Sequence, residues 1–160
     1  MQYFFDECVE VGPDRCPFYA PTAQDISRNL TTLYNAVRAQ PVPIRTATSY
    51  GLVDYNRLRM TVFTSLYKPY TAFLTLASGL AELAAGDGTR IYEMLETLPF
   101  QCSCNDSPDF SVVGDAGIAI ACNDGKAVPS SLKELEKYFD EVMETSSWSE
   151  IWAGRRVNCV

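Results

Sequence analysis

The residue types in this chain that could do chemistry are six cysteines, with no histidine beside them. A Ser-His-Asp or Cys-His site needs an imidazole base, so the sequence excludes a complete site of either kind. Zinc-type spacing is also absent, because the closest pair, Cys102-Ser103-Cys104, has one residue between its cysteines. We therefore predict no catalytic residue, no metal site and no cofactor, and we interpret the cysteines as disulfides formed in an oxidising compartment.

The motifs that mark nucleophiles and phosphate-binding loops are missing as well. The sequence has no G-x-S-x-G elbow, no G-x-x-x-x-G-K-[ST] loop and no G-x-G-x-x-G run. Gly86-Asp87-Gly88 follows an apolar helical stripe instead of a strand, and it therefore predicts the end of a helix.

Length and charge narrow the class of protein further. A chain of 160 residues fits one domain with a core of its own. Its 13 Lys and Arg against 20 Asp and Glu give a net charge of -7, which would repel a phosphate backbone, so we expect no nucleic-acid partner. No apolar run approaches the roughly 20 residues of a membrane helix, so we expect no membrane partner. The start, MQYFFDEC, lacks a basic signal-peptide region, and we expect a domain excised from a larger protein.

Two N-glycosylation sequons favour a secreted glycoprotein. Asn105 lies in the polar stretch NDSPD, which predicts an exposed loop. Asn29 lies beside the apolar stripe of a predicted helix.

Apolar residues recur at helical spacing along most of the chain, which predicts a series of short helices. Residues 2–11 form the first helix, which ends at Gly12-Pro13. Thr22 caps the second, and Gly86 follows the end of a later one. The stripes that we expect to face inward are Ile26, Leu30, Leu33 and Val37; Leu58, Val62, Phe63 and Leu66; Phe73, Leu76, Ala77, Leu80 and Ala84; and Ile91, Met94, Leu95 and Leu98.

Near the end of the chain, Ser131 and Ser147 each begin a capping box that predicts a helix. The first of these helices should turn inward Leu132, Leu135, Phe139 and Val142. PVPIR, residues 41–45, predicts an extended connector, and SVVGDAGIAIAC, residues 111–122, is the one β-type run. The predicted fold is mostly α, multi-helical and disulfide-stapled, with at most one short strand or hairpin.

Four segments, taken in order, resemble a known family. FFDECVEVGPDRCPF is similar to its aromatic-rich first helix, and LYKPY with LASGLAELAAGDG is similar to its central helix junction. IAIACNDG and the closing RRVNCV are similar to its later segments. Together they cover nearly the whole chain, which resembles the lid (cap) domain of secreted tripeptidyl-aminopeptidase-like α/β-hydrolases of the proline-iminopeptidase type.

The resemblance implies one helical lid domain over residues 1–160 and a role beside a separate catalytic domain. In that family the nucleophilic serine precedes the lid, and the acid and histidine follow it, so this chain alone would be catalytically incomplete. The implied partners are the catalytic α/β-hydrolase domain and a peptide or ester substrate at the shared cleft. Lid carboxylates of such aminopeptidases can hold the free α-amino group of the substrate, and Asp124, placed just after the predicted strand, is our candidate; it can equally be an Asp-Gly turn residue.

Six cysteines allow 15 pairings. Cys8 and Cys16 bracket the Gly-Pro turn and form our first predicted pair. The resemblance places Cys122 and Cys159 together at the end of the lid and implies the second pair. Cys102 and Cys104 remain, and a bridge between them would be strained.

Aromatic side chains are candidates for a face that meets the catalytic domain, since aromatic residues are enriched at interfaces, but each can equally belong to the core. They are Tyr50, Tyr55, Tyr67, Tyr70, Tyr92, Trp148 and Trp152. If the face is exposed, we expect self-association through it.

Two other functions stay open: a free-standing secreted helical carrier of small apolar ligands, and an interaction module without a ligand.

Overall fold

A computed structural model describes residues 1–95, 114–124, 131–157 and 159. The chain divides into two compact units, Met1–Leu98 and Pro99–Val160. A single lid domain over residues 1–160 stays a prediction. Cys102, Cys104 and Asn105 lie outside the described residues.

The described residues form eight α-helices and one two-stranded antiparallel hairpin. The elements of the first unit are α1 Gln2–Val11, α2 Ala23–Ala39, β1 Val42–Arg45, β2 Tyr50–Val53, α3 Tyr55–Ser65, α4 Pro69–Ala84 and α5 Thr89–Glu93. Those of the second are α6 Gly114–Asp124, α7 Leu132–Thr145 and α8 Ser149–Val157. Disulfides join Cys8 to Cys16 and Cys122 to Cys159. The prediction of a mostly helical, disulfide-stapled fold with at most one short strand or hairpin is confirmed.

Local capping explains where several helices begin and end. The Thr22 hydroxyl accepts the backbone N–H of Asp25 at 3.1 Å, and Ser131 does the same for Glu134 at 3.4 Å. At the end of α4, Gly86 takes a φ of 97°, and its N–H bonds the carbonyl of Leu83 at 3.0 Å. A positive φ is costly for a residue with a side chain, so glycine fits this cap and the helix ends where the sequence predicts.

The core of the first unit lies among the apolar stripes of α2, α3 and α4, closed by the hairpin and α5. Its almost completely buried large side chains are Ile26, Val53, Leu58, Val62, Leu76, Leu80 and Ile91. Full burial of one such side chain is worth roughly 1.5–3 kcal/mol. This core holds α4 in place, and α4 provides one wall of the groove described below.

The hairpin lies where the sequence predicted only an extended connector. Val42 pairs with Val53 and Ile44 with Gly51, and Ile44 and Val53 are buried. Strand pairing depends on the partner strand Tyr50–Val53 and on the turn between the two strands, which the PVPIR pattern does not encode by itself.

The β-type run predicted over residues 111–122 is wrong in its described part, because residues 114–122 belong to α6. A short run with β-branched residues is typical of a strand, but residues 116–120 are all exposed. Because residues 116–120 have no buried face, local propensity decides, and Ala116, Ala119 and Ala121 favour a helix.

Helix α7 is amphipathic but carries no buried side chain. The inward placement of Leu132 is wrong, since 73% of it is exposed, whereas Leu135, Phe139 and Val142 are half-buried. Leu132 is the first residue of the helix, and because helical side chains lean toward the preceding turn, it has no earlier turn of its own helix to pack against. Among the described helices, none is long and apolar enough to cross a membrane.

Candidate functional site

A groove of about 310 Å³ lies between α1 and α4 in the first unit. We call it the α1–α4 groove. Its lining is mainly aromatic and aliphatic, with one carboxylate and one guanidinium, and its main members are Tyr3, Phe4, Glu7, Arg15, Tyr70, Phe73 and Leu74.

Aromatic contacts hold the two helices together at the base of the groove. The rings of Phe4 and Phe73 meet edge to face at 5.1 Å between centroids, and Tyr3 lies 6.1 Å from Phe73. Edge-to-face pairs add stabilisation beyond the area that they bury. Pro69 starts α4, a position at which its fixed φ and missing N–H are tolerated.

The Cys8–Cys16 disulfide fixes the other end of the groove. Both cysteines are buried, and their Cα atoms are 5.3 Å apart. Between them the chain turns at Gly12, with a φ of 76°, and the carbonyl of Gly12 accepts the N–H of Cys16 at 2.9 Å. The staple therefore places Arg15, next to Cys16, beside the last turn of α1.

Large apolar side chains form an exposed rim along the groove. Tyr70 is 93% exposed, Leu74 is 65% exposed and Tyr3 is 52% exposed. Tyr70 and Leu74 are four residues apart on α4, so they lie on one face of the helix. Contiguous exposed apolar surface of this kind marks a binding surface more often than isolated exposed residues do.

The charge around Tyr3 is negative. The nearby carboxylate of Glu7 raises the pKa of the Tyr3 hydroxyl above its ordinary value of 10.0, first through its charge and then through a hydrogen bond. Glu10 and Tyr70 add to this effect. Arg15 supplies the opposite charge in the same groove. The arrangement can bind an apolar body that carries a charged group, but it contains no acid–base pair for catalysis.

A second groove, of about 320 Å³, lies between α7 and α8 in the second unit. We call it the α7–α8 groove. Its lining is almost entirely apolar apart from Glu136, and includes Leu132, Leu135, Phe139, Ala153 and Val157. Its origin is the unburied apolar face of α7.

Asp124, the predicted substrate-binding acid, is exposed and is the last residue of α6. Its expected position just after a strand is therefore wrong, because that segment is helical. The same helix contains Cys122, whose Cα atom lies 5.2 Å from that of its disulfide partner Cys159. Asp124 lines neither the α1–α4 groove nor the α7–α8 groove.

Asn29, the first predicted glycosylation residue, is exposed on α2. The hydroxyl of Thr31 in the same sequon donates to the carbonyl of Ser27 at 3.0 Å. Glycosylation at Asn29 stays a prediction.

The aromatic residues proposed for an interface divide between surface and core. Tyr50, Tyr67 and Tyr70 are exposed. Tyr55 is half-buried beneath the guanidinium of Arg38, which lies 3.9 Å from its ring centroid. Trp148 is half-buried, and Trp152 is 39% exposed.

Tyr92 is a core residue that joins β2, α3 and α5. It is only 7% exposed, its hydroxyl donates to the carbonyl of Tyr50 at 3.0 Å, and it shares a hydrogen bond of 2.8 Å with the hydroxyl of Ser49. The guanidinium of Arg57 lies 3.9 Å from the ring centroid and donates to the carbonyl of Tyr92 at 2.7 Å.

Sequence reasoning missed Tyr3 and Glu7, and with them the groove itself. The signal that could have found it is the spacing of four residues in both helices, Tyr3 to Glu7 and Tyr70 to Leu74, which puts each pair on one helical face. That spacing does not reveal that the two faces meet.

The described residues contain no group of three or more His, Cys, Asp or Glu that could hold a metal ion. No protein-family model, no curated protein and no solved structure matches this chain.

Proposed function

We propose that this chain is the substrate-shaping lid of a secreted serine hydrolase resembling the tripeptidyl-aminopeptidases, and that it is catalytically incomplete alone. The observation that carries the proposal is the α1–α4 groove with its exposed aromatic rim. Its two walls come from FFDECVEVGPDRC and from the segment that starts at LYKPY, which are two of the segments that carry the family resemblance. The resemblance and the surface features therefore coincide in one place.

A lid of this kind acts by covering the cleft of a catalytic α/β-hydrolase domain. Closure excludes water from the reacting bond and shapes the pocket for a peptide or ester. The exposed rings of Tyr3 and Tyr70 supply apolar surface for the substrate or for the rim of the catalytic domain. The catalytic serine, acid and histidine belong to that domain, since this chain has no histidine.

An extracellular site of action completes the proposal. The two disulfides are compatible with that location, because such bonds persist in oxidising compartments. We include glycosylation at Asn29 and Asn105 in the proposal, and mass spectrometry of the secreted protein before and after glycosidase treatment tests it.

Asp124 is the proposed anchor for the α-amino group of a peptide substrate. Its exposure leaves the carboxylate free to meet an ammonium group once a catalytic domain is in place. In the complete hydrolase, Asp124→Ala should raise KM for peptides with a free amine about two- to fivefold and leave KM for N-blocked esters unchanged. Asp140→Ala, at another exposed aspartate, is the matched control. An equal effect on both substrates would show that Asp124 is only a turn or surface residue.

The lid proposal itself is tested by replacement. Residues 1–160 are inserted in place of the native lid of a secreted tripeptidyl-aminopeptidase-type hydrolase, and a fluorophosphonate probe reports the reactive serine. We expect labelling to show an intact reactive serine in the lidless core and in the chimera, and only the chimera to regain peptide hydrolysis; Leu74→Asp in the rim should abolish that hydrolysis. A chimera no more active than the lidless core would contradict the proposal.

One observation favours a second function, a carrier of small apolar ligands. The α7–α8 groove is almost entirely apolar and its largest contributors lie on an unburied helix face. Solvent extraction of the purified chain followed by mass spectrometry tests it: a stoichiometric lipid favours a carrier, and its absence favours the lid.

A further inference from the structure

The α1–α4 groove combines a cavity, a projecting ring and charges of both signs on one surface. We propose that this surface is the contact between two copies of the chain, related by a two-fold axis, with Tyr70 of each copy seated in the groove of the other. The inference concerns the chain by itself and does not depend on the lid proposal.

Charge complementarity is the first argument for a second copy. Glu7 and Arg15 both line the groove, and the adjacent Cys8–Cys16 disulfide holds their two segments side by side. In a two-fold contact, residue i of one copy meets residue j of the other, and j meets i in return. Two Glu7–Arg15 pairs can therefore form between the copies, one on each side of the axis. A partner with a single sign of charge would instead leave either Glu7 or Arg15 facing a like charge.

Shape is the second argument. Tyr70 stands 93% exposed beside the cavity, with Leu74 one turn further along α4. The cavity of about 310 Å³ has room for one aromatic side chain, and its base is formed by the rings of Phe4 and Phe73. The projection and the cavity that accepts it thus occur on the same surface, which is what a self-complementary interface requires.

The size of the groove determines how strong the contact can be. Stable interfaces bury roughly 800 Å² on each partner, and an edge formed by two helices offers less. We therefore expect a dimer that dissociates on dilution, with its affinity concentrated in Tyr70 and Leu74, because a few buried anchors carry most of the energy of small interfaces.

Sedimentation equilibrium of the complete chain, from about 10 μM to about 1 mM, measures the association. Leu74→Asp should weaken it at least tenfold, whereas Leu52→Asp, the same change at a leucine of β2 that is 53% exposed, should not. Glu7→Arg and Arg15→Glu should each weaken it, since each creates two like-charge contacts, and the double variant should restore it. Circular dichroism checks that every variant keeps its helical content.

Three results would overturn the inference. They are a chain that stays monomeric at every concentration, a dimer that Leu74→Asp and Leu52→Asp affect equally, and a double charge reversal that fails to restore association. None of them bears on the lid proposal, which the chimera tests separately.

Discussion

Tyr92 is the residue at which the hairpin is joined to the helices. Tyr92→Phe removes the hydroxyl that bonds the hairpin and keeps the packing of the ring. The ring stays beneath the guanidinium of Arg57, 3.9 Å from its centroid. Two hydrogen bonds are lost, one to the carbonyl of Tyr50 at 3.0 Å and one to the hydroxyl of Ser49 at 2.8 Å. Because Tyr92 is buried and Ser49 only partly so, we expect the free energy of opening the hairpin to fall by about 1–2 kcal/mol.

Native-state hydrogen exchange, read by mass spectrometry over residues 42–53, measures this loss. A change of 1–2 kcal/mol corresponds to an acceleration of roughly 5- to 30-fold for exchange that proceeds by local opening. Tyr70→Phe is the matched control, because that side chain is 93% exposed and should have no effect.

Gly51→Ala should disturb the contact between β2 and Tyr92 from the strand side. A Cβ atom on Gly51 would lie 2.6 Å from Cε2 of Tyr92, so the ring must shift, at a cost of about 1–3 kcal/mol. If Tyr92→Phe accelerates exchange no more than Tyr70→Phe does, the hydroxyl does not hold the hairpin and this reasoning is refuted.

Three further predictions concern the Cys8–Cys16 disulfide, the carboxylate of Asp87 and two glycines, Gly86 and Gly154. Removing the Cys8–Cys16 disulfide with two serines should cost about 2.5 kcal/mol, from the eight-residue separation, in urea denaturation followed by circular dichroism. Hydrogen bonds from the side chain and then the backbone of Thr89 lower the pKa of Asp87 below its ordinary value of 3.8. The Asp87 carboxylate therefore stabilises the folded state above pH 3.8, and this stabilisation is lost as the pH falls through the pKa of the folded protein. Asp87→Asn should remove this dependence, and an unchanged acid transition would contradict it. Gly86→Ala should destabilise the protein by about 1 kcal/mol because Gly86 has a φ of 97°, whereas Gly154→Ala, inside α8 with open space around it, should stabilise it slightly. Thermal melts in which both variants shift Tm in the same direction would contradict these roles of the two glycines.

The parts of the fold that were predictable depend on neighbours in the sequence. Thr22 and Ser131 cap helices because a hydroxyl reaches an N–H three residues on, and Gly86 ends α4 through its own backbone freedom. The buried stripe of α2 follows from its period alone, since Ile26 and the apolar residues after it recur on one face.

The parts that were missed depend on distant partners. The pairing of Val42 with Val53 and the contact of Phe4 with Phe73 join segments whose approach no local pattern specifies. The helix over Gly114–Asp124 was missed for the opposite reason, since residues 116–120 are exposed and local propensity, not packing against a neighbour, decides their structure. The candidate site belongs to this second class, because the α1–α4 groove exists only once two helices have packed.

Under the proposed function, this chain shapes a serine hydrolase site without containing one. Fluorophosphonate labelling, of the purified chain alone and of the lid chimera, tests this proposal most directly. We expect no labelling of the chain alone, because it has no histidine to activate a serine, and labelling together with restored peptide hydrolysis in the chimera. Labelling of the chain alone would contradict it by revealing a nucleophile within these 160 residues.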